Sequence, residues 1–420
     1  MQTTVLDANV KFVNQAFLRP LIISSGAITE ITEAVAEVTV RVEGQEATGR
    51  GSIYLSDLWS WPDPAISHAD RDVRLRALCQ EIAGKLYALC GGEPAHPLEL
   101  GLRLHEAVCH DKTPPVLARA MAASPFDAAI HDAAGQALGR SAFRFYDQPV
   151  PLPSADPFFR DRNACAAIAS SIRAEPKREL MAWYLVGKND SLENDVGPWI
   201  RDRGYRCFKI KIFGKDNAYD VGRTVEVYRG VKALGVQDPW ITVDTNEANP
   251  DAASVLDFFQ RLQAADAEAF AALKYFEQPT GRDILVHKFD WRSIAALKPV
   301  LLDEGLTSLG LMREAQEQGW SGFALKTCKG HSFALTAAAW ARQNRMLLAL
   351  QDLTNPGISL IHAALFAAYV PMLNDVELNS LQFTPAANQA WLPRLAGLFD
   401  ARGGVHRLPD AIPPGLGSTM

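Results

Sequence analysis

Five short apolar runs in the middle of the chain each end in an ionisable residue. In chain order these residues are Lys211, Asp244, Glu277, Asp303 and Lys326. A strand buried in a parallel sheet is hydrophobic along nearly its whole length, so a charge at its last residue indicates that the strand ends at a polar site. The order lysine, acid, acid, acid, lysine predicts three carboxylates between two amines at one edge of a sheet.

The spacing of these residues favours a barrel. The intervals between them run from 23 to 33 positions, and helical patterns at 221–234 and 252–262 lie between the apolar runs. Each interval has room for one loop, one helix and one strand, an alternation typical of a parallel sheet. In an eight-stranded α/β barrel the carboxyl ends of all strands open onto one face, so we expect the charged side chains to meet there.

The three acids form a candidate metal site. Taken singly, each would more simply be a helix N-cap, but three converging carboxylates repel one another strongly unless a cation lies between them. Asp244, Glu277 and Asp303 offer only oxygen, which suits Mg²⁺, and no histidine or cysteine ends these runs to indicate zinc. Glu304 follows Asp303 directly, so either could be the third ligand. Asp303 is favoured because it stands two positions after Leu301 and would point to the same side of the strand.

The lysines are candidate bases. Lys209 and Lys211 are two positions apart, so both would point to the same side of a strand. Their mutual repulsion, together with a nearby metal and burial, is expected to lower the pKa of one amine until it acts as a base near neutral pH. A metal-bound carboxylate acidifies the adjacent C–H, which a neutral lysine could deprotonate to leave an enediolate. The plainer alternatives are an exposed edge strand for Lys209 and Lys211 and a surface position for Lys326.

Composition narrows the class of protein. The chain has 420 residues, 48% of them hydrophobic and 21% charged, as expected for a globular protein of two or three domains. Its net charge is −6 and its lysines and arginines are dispersed, so we expect no nucleic-acid partner. The six cysteines form no C-x-x-C pair, and neither a signal peptide nor a long apolar run occurs. We therefore expect a cytoplasmic protein with free thiols and no membrane contact.

The charged motif resembles the enolase superfamily and, within it, the muconate-lactonizing-enzyme subgroup. That pattern places Lys-x-Lys after the second barrel strand, metal-binding Asp, Glu and Asp after the third to fifth, and Lys after the sixth. The matching residues are Lys209, Lys211, Asp244 with Asn246, Glu277, Asp303 and Lys326. The resemblance implies an α/β fold, a modified (β/α)7β TIM-type barrel at 151–375 covered by an α+β capping domain from 1–150 and the tail 376–420.

The resemblance also implies roles around the mouth of the barrel. Loops near 17–25 and 49–61 would close on the substrate, which makes Arg19 and Trp59 candidates for binding its carboxylate or an apolar group. Glu304 would orient a lysine or the metal. The seventh strand offers Asp352 but no histidine, which argues against the mandelate-racemase subgroup. A Gly-His pair at 330–331 replaces the subgroup's usual paired glycine.

The implied activity is Mg²⁺-dependent removal of the proton alpha to a carboxylate, giving a metal-stabilised enediolate. A racemase or epimerase, with Lys211 and Lys326 on opposite faces of a small carboxylate substrate, is the simplest form. A cycloisomerase and a dehydratase share the first step. A Schiff-base barrel aldolase and a non-catalytic carboxylate or metal binder are the alternatives. Relatives commonly assemble, so we expect a homo-oligomer.

Overall fold

The computed structural model describes all 420 residues. Its strands are β1 (Thr3–Ile23), β2 (Gly26–Val42), β3 (Gln45–Tyr54), β4 (Glu179–Met181), β5 (Trp183–Val186), β6 (Cys207–Lys211), β7 (Trp240–Asp244), β8 (Leu273–Glu277), β9 (Val300–Leu302), β10 (Gly322–Lys326), β11 (Leu347–Gln351) and β12 (Val405–Arg407).

The α-helices are α1 (Asp57–Ser60), α2 (His68–Leu89), α3 (Pro97–Cys109), α4 (Val116–Leu138), α5 (Ala164–Ser171), α6 (Gly197–Arg203), α7 (Asn217–Ala233), α8 (Ala252–Ala265), α9 (Ala267–Ala272), α10 (Arg292–Ala295), α11 (Leu311–Glu317), α12 (His331–Gln343), α13 (Gly357–Tyr369), α14 (Ser380–Phe383) and α15 (Leu392–Phe399). Helix α5 lies between α4 and β4 in chain order. None of the helices has the length and apolar character needed to cross a membrane.

Strands β5 to β11 form one seven-stranded parallel sheet in which neighbours follow chain order. Helices α7, α8 and α12 occur between successive strands, and the predicted α/β barrel with an N-terminal cap of strands is confirmed. Strands β6, β7, β8 and β10 end at the charged residues that bound their apolar runs, and Asp303 follows β9 by one position. The order of charges along the chain is therefore their order around the sheet.

Residues 374–382 close the barrel between β11 and β5. Glu377 pairs with Gln351 in a single parallel bridge. On the other side, the side-chain amide of Asn379 donates to the Trp183 carbonyl at 3.2 Å. The amide of Gln382 accepts from the backbone N–H of Leu185 at 3.0 Å and donates to its carbonyl at 2.6 Å. Side chains thus replace the main-chain ladder of an eighth strand at the β5 edge.

A small apolar layer fills the barrel below its carboxyl end. Its buried members are Tyr275, Leu301, Ala324 and Ala349, one from each of four consecutive strands. Because strand side chains alternate between two faces, the residue two positions later points into the same interior. Those residues are Glu277, Asp303, Lys326 and Gln351. The alternation thereby aims the charged groups at a common space above an apolar floor.

Helix α4 attaches the cap to the barrel and to the tail. It packs closely on β3, where a Cβ atom on Gly49 would lie 2.1 Å from the backbone nitrogen of Ala133. The carboxylate of Asp127 accepts from the backbone N–H and the hydroxyl of Ser332, both at 2.8 Å, at the start of α12. Asp132 accepts from the N–H of Leu416 at 2.8 Å. The division into domains at residue 150 stays a prediction.

The close packing of β3 on α4 gives a stability prediction. We expect Gly49→Ala to lower the free energy of unfolding by about 1–3 kcal/mol, because the added methyl group overlaps backbone atoms of α4 that cannot move freely. Gly84→Ala is the matched control: it lies in α2 with open space around it and should be neutral or stabilise by up to about 1 kcal/mol. Equal denaturant midpoints for the two variants would contradict this account.

Candidate active site

The strand-end lysines and acids form one continuous network. The Lys209 amine donates to Glu277 Oε2 at 2.7 Å and lies 3.1 Å from Asp244 Oδ2. The Lys211 amine donates to the same Asp244 oxygen at 2.6 Å. Lys326 donates to Asp303 and lies 3.6 Å from Glu277 Oε1. None of these side chains belongs to a residue more than 7% exposed. The network is therefore a buried ring in which two lysines bridge neighbouring acids.

The acids of this ring differ in their electrostatic balance. Burial raises the pKa of Glu277 to about 7; Asp244 and Asp303 add to the effect, and Lys209 and Lys326 oppose it. Burial also acts on Asp244, but nearby lysines outweigh it and lower its pKa to about 2. Lysines likewise outweigh burial and lower the pKa of Asp303. Glu277, the central acid, is the one whose negative charge is least compensated.

The expected lowering of an amine pKa is not found at Lys209 or Lys326 while ammonium groups alone lie between the acids. Burial alone would lower the pKa of Lys209, but carboxylates, with Glu277 first among them, raise it well above its usual value. The same balance raises the pKa of Lys326, where Asp303 contributes most among the acids. The sequence reveals the two amines of Lys209 and Lys211 side by side, whereas the structure surrounds the amines with carboxylates.

The three acids suit a divalent cation in chemistry. The Oε1 atom of Glu277 is buried and has no hydrogen-bond partner. Ammonium groups lie between the acids, and no three His, Cys, Asp or Glu side chains surround one common point. An oxygen-only donor set that includes an unpartnered buried oxygen fits Mg²⁺, which Asp244, Glu277 and Asp303 would hold.

Two loop residues extend the ring toward the mouth. The side-chain oxygen of Asn246 accepts from Lys211 at 2.7 Å, and its amide donates to Glu304 Oε1 at 3.0 Å. Asn246 and Glu247 have φ values of 45° and 71°, a left-handed conformation that costs energy for residues other than glycine and often marks functional loops. Burial, followed by the charge of Asp303, raises the pKa of Glu304 to about 8.

The cap covers this site through Trp59. Its indole N–H donates to Glu304 Oε1 at 2.9 Å, and its ring centroid lies 5.4 Å from the Lys326 amine. With Phe17 and Leu21 of the β1–β2 hairpin, Trp59 lines a cavity whose far wall includes Lys326 and Asp352. The cavity therefore has an apolar roof from the cap and a charged floor from the barrel.

Arg19 does not line this cavity. Its guanidinium forms a two-pronged ion pair with Asp190, at 3.2 and 3.3 Å, and lies over the rings of Tyr184 and Phe383. Asp190 follows β5 and lies close to the capping hairpin. Its carboxylate pairs with the Arg19 guanidinium, which we had expected to bind a carboxylate of the substrate. In this structure Arg19 fastens the hairpin to the barrel.

Three further polar side chains belong to the network and were not predicted as site residues. Gln351 accepts from Lys326 at 2.6 Å and donates to Glu277. Glu377 lies 3.4 Å from the Lys209 amine, and the Lys329 amine lies 3.2 Å from Asp303 Oδ1. Gln351 ends a recognisable strand, so the alternation of side chains along that strand was the signal that could have located it. Glu377 follows no periodic apolar run, so the sequence offers no comparable signal for it.

Asp352 provides a pH-dependent prediction. Burial raises its pKa to about 8 from an ordinary value of 3.8, and its Oδ2 atom has no partner. Between these values only the folded state holds the proton, so this group makes the protein less stable as pH rises. We expect Asp352→Asn to raise the melting temperature at pH 8 and to have little effect at pH 4. Calorimetry at both values, with exposed Asp410→Asn as control, tests this; a larger gain at pH 4 would contradict it.

Comparison with known structures agrees with this fold. Solved structures with similar folds include a muconate lactonizing enzyme from Klebsiella pneumoniae (18% identity, TM-score 0.65, covering 99% of this chain and 96% of that one). An enolase from Bradyrhizobium complexed with magnesium and mandelic acid has the same values. The L-Ala-D/L-Glu epimerase from Bacillus subtilis is 14% identical, with a TM-score of 0.65 and coverage of 99% and 98%.

Sequence comparison identifies the family. No curated protein sequence matches the chain. Residues 192–420, more than half of the chain, match the enolase C-terminal domain-like family. This range contains the strand-end lysines and acids from Lys209 to Lys326. The resemblance that these residues carried is therefore confirmed, and the protein belongs to the enolase C-terminal domain-like family.

Proposed function

We propose that the protein is a Mg²⁺-dependent enzyme that removes the proton alpha to the carboxylate of a small substrate, acting as a racemase or epimerase or as a cycloisomerase. The observation that carries this proposal is the position of two amines on either side of the acids. Lys211 ends β6 and Lys326 ends β10, and the three strands between them carry the acids. A substrate carboxylate at the acids would have one amine toward each face.

The similar folds support this reaction class. They include a muconate lactonizing enzyme, an epimerase of L-Ala-D/L-Glu and an N-succinyl Arg/Lys racemase from Bacillus cereus. The Bradyrhizobium enolase was solved with both magnesium and a small carboxylic acid. In this chain Asp244, Glu277 and Asp303 would hold Mg²⁺. When bound, the ion supplies positive charge that acidifies the substrate α C–H and stabilises the enediolate oxygens.

The side chains around each amine fix its direction. The Lys211 amine is held by Asp244 at 2.6 Å and by the Asn246 oxygen at 2.7 Å. The Lys326 amine is held by the Gln351 oxygen at 2.6 Å and faces the Trp59 ring. One amine, when neutral, accepts the α-proton, and the other, as ammonium, donates a proton to the opposite face. Taking the proton from one face and returning one to the other inverts the α-carbon.

The cap excludes water from this exchange of protons. Trp59, Phe17 and Leu21 place apolar surface over the charged floor. The Arg282 guanidinium donates to the Trp59 carbonyl at 3.1 Å and pairs with Glu247 at 2.9 Å. The barrel loop that follows β8 thus holds helix α1 of the cap in place. Low solvent access strengthens the electrostatic contacts within the site and protects the carbanionic intermediate from bulk water.

The two-base arrangement is tested with Lys211→Ala and Lys326→Ala. Both variants should retain Mg²⁺ binding and lose turnover, because each lacks the amine on one face. Each should still exchange the α-proton of one enantiomer with solvent. NMR in D₂O on a panel of chiral carboxylates that includes both mandelate enantiomers measures this exchange. Equal exchange from both enantiomers would contradict the division of roles, and borohydride trapping of a lysine adduct would indicate an aldolase instead.

The metal role is tested with Glu277→Gln. The amide removes the negative charge at the centre of the acids, so we expect Mg²⁺ affinity to fall by at least the roughly 10- to 100-fold typical of weakened metal sites. Isothermal titration of Mg²⁺ into the protein measures the change. Glu317→Gln removes one negative charge from an exposed helix position and should leave affinity unchanged. An unchanged titration for Glu277→Gln would mean that this acid is structural.

A further inference from the structure

A histidine side chain of helix α3 in the cap reaches two loops of the barrel. The Nδ1 atom of His105 lies 3.1 Å from the carbonyl oxygen of Lys329, and its Nε2 atom lies 3.0 Å from the carbonyl oxygen of Thr307. Thr307 follows β9 and Lys329 follows β10, and these two strands are neighbours in the sheet. A single imidazole ring therefore bridges two loops at the carboxyl end of the barrel.

Both contacts can be hydrogen bonds in only one protonation state of the ring. A carbonyl oxygen accepts hydrogen bonds and cannot donate them, so each ring nitrogen must supply a hydrogen. A neutral imidazole carries one N–H group, and its other nitrogen would direct a lone pair at a carbonyl oxygen, whereas an imidazolium ion carries two N–H groups. His105 therefore satisfies both carbonyl groups only when it is protonated, and it loses one of the two hydrogen bonds when it is neutral.

The surroundings of the ring fix its plane and set its charge balance. Phe333 of α12 stacks on it, with the ring centroids 4.8 Å apart and an angle of 10° between the planes. Burial and the ammonium group of Lys329 lower the pKa of His105, whereas the two carbonyl groups and the Asp127 carboxylate of α4 oppose this effect. The ring also borders an open groove of about 540 Å³, so protons can reach it from solvent. The other ionisable side chains at this groove are the exposed Glu106, His110 and Lys112 and the thiol of Cys109.

The bridged loops are the two that bring Lys329 and Asp303 together. The Lys329 amine is buried, donates to the backbone carbonyl of Asp303 and lies 3.2 Å from Asp303 Oδ1. Thr307 belongs to the same loop as Asp303 and stands four positions after it. His105 thus bonds to the backbone of both loops whose contact is made by the lysine and the acid.

We propose that His105 is a positioning residue that, when protonated, ties the loops after β9 and β10 together and so places Lys329 against Asp303. This inference rests on the proposed function, because Asp303 is one of the acids that would hold Mg²⁺. A carboxylate that is already held in one orientation loses less freedom when it binds a cation. His105 takes no direct part in the site, and it acts on Asp303 through the two loops.

The direction of the pH effect follows from the two carbonyl groups. Below the pKa of His105 both hydrogen bonds are present, and as pH rises through that pKa one of them is lost. Because the pKa is lowered from an ordinary value of 6.5, this change falls on the acid side of pH 6.5. Carboxylates behave in the opposite way, since they lose protons and bind cations more tightly as pH rises. The ratio of variant to wild-type affinity at each pH isolates the contribution of His105, because the titration of the acids affects both proteins.

The test is calorimetric titration of Mg²⁺ into the full-length protein and its His105→Gln variant at pH 5 and pH 8. Glutamine offers both donor and acceptor groups and cannot gain a proton, so it resembles neutral imidazole at either pH. We expect similar affinities at pH 8 and an affinity about two- to tenfold lower for the variant at pH 5, the effect of one lost hydrogen bond. Removal of a positive charge would by itself raise the affinity for a cation, so a decrease is not a charge effect. Circular dichroism checks the fold of each protein.

His110→Gln is the matched control. It is the same substitution at the exposed residue that follows the last turn of α3. This variant should bind Mg²⁺ as tightly as the wild type at both pH values. If His110→Gln and His105→Gln lowered the affinity equally at pH 5, the contact with the two carbonyl groups would not be the cause, and the positioning role would be wrong.

Nitrogen-15 NMR measures the protonation of His105 without any metal. In protein labelled in its histidine rings, the signals of His105 are those that are absent from His105→Gln. We expect both ring nitrogens of His105 to become protonated as pH falls from 8 to 5. A ring that stays neutral at pH 5 while the protein remains folded would contradict the inference.

The remaining outcomes separate this inference from the proposed function. Mg²⁺ binding with equal affinities for the wild type and His105→Gln at pH 5 would overturn the positioning role and leave the proposed function standing. Protonation of both nitrogens of His105, together with no Mg²⁺ binding at either pH, would overturn the proposed function and with it the role of His105 at a cation site.

Discussion

The structure depends on the mutual neutralisation of lysines and carboxylates inside the carboxyl end of the barrel. Each of these charges would be costly to bury alone, and each is held by at least one opposite charge. The balance is incomplete at Glu277, which faces two other acids. The cap above and the apolar layer below keep these groups buried and close together.

The sequence predicted the barrel and its charged face because both depend on local patterns. Each apolar run ends at a charge, and the sheet places its strands in chain order, so spacing along the chain became position around the barrel. The closure of the barrel depends on long-range contacts instead. Glu377 follows no alternating run, and Asn379 and Gln382 complete the wall through side-chain amides. No periodic signal in the sequence corresponds to such contacts.

The electrostatics of the site could be predicted only in part. The sequence shows that Lys209 and Lys211 share a strand face, which correctly suggests repulsion between them. Their acidic partners come from other strands, and Glu277 on β8, two strands away, is the largest of the carboxylate contributions that raise the pKa of Lys209. Arg19 is similar: its place on the hairpin is evident from the sequence, but its pairing with Asp190 joins residues 171 positions apart. Local patterns locate charges, whereas tertiary structure determines what each charge opposes.

The side-chain closure at the β5 edge has a mechanical consequence. A continuous ladder resists shear along its whole length, whereas a side chain takes part in each hydrogen bond named at this edge. These side chains are the amides of Asn379 and Gln382 and the Trp183 indole, which donates to the Asn374 carbonyl at 2.9 Å. Segments held by few hydrogen bonds open at a lower free energy than the ladders around them. The junction between the first and last walls is therefore the part of the barrel wall that we expect to open at the lowest free energy.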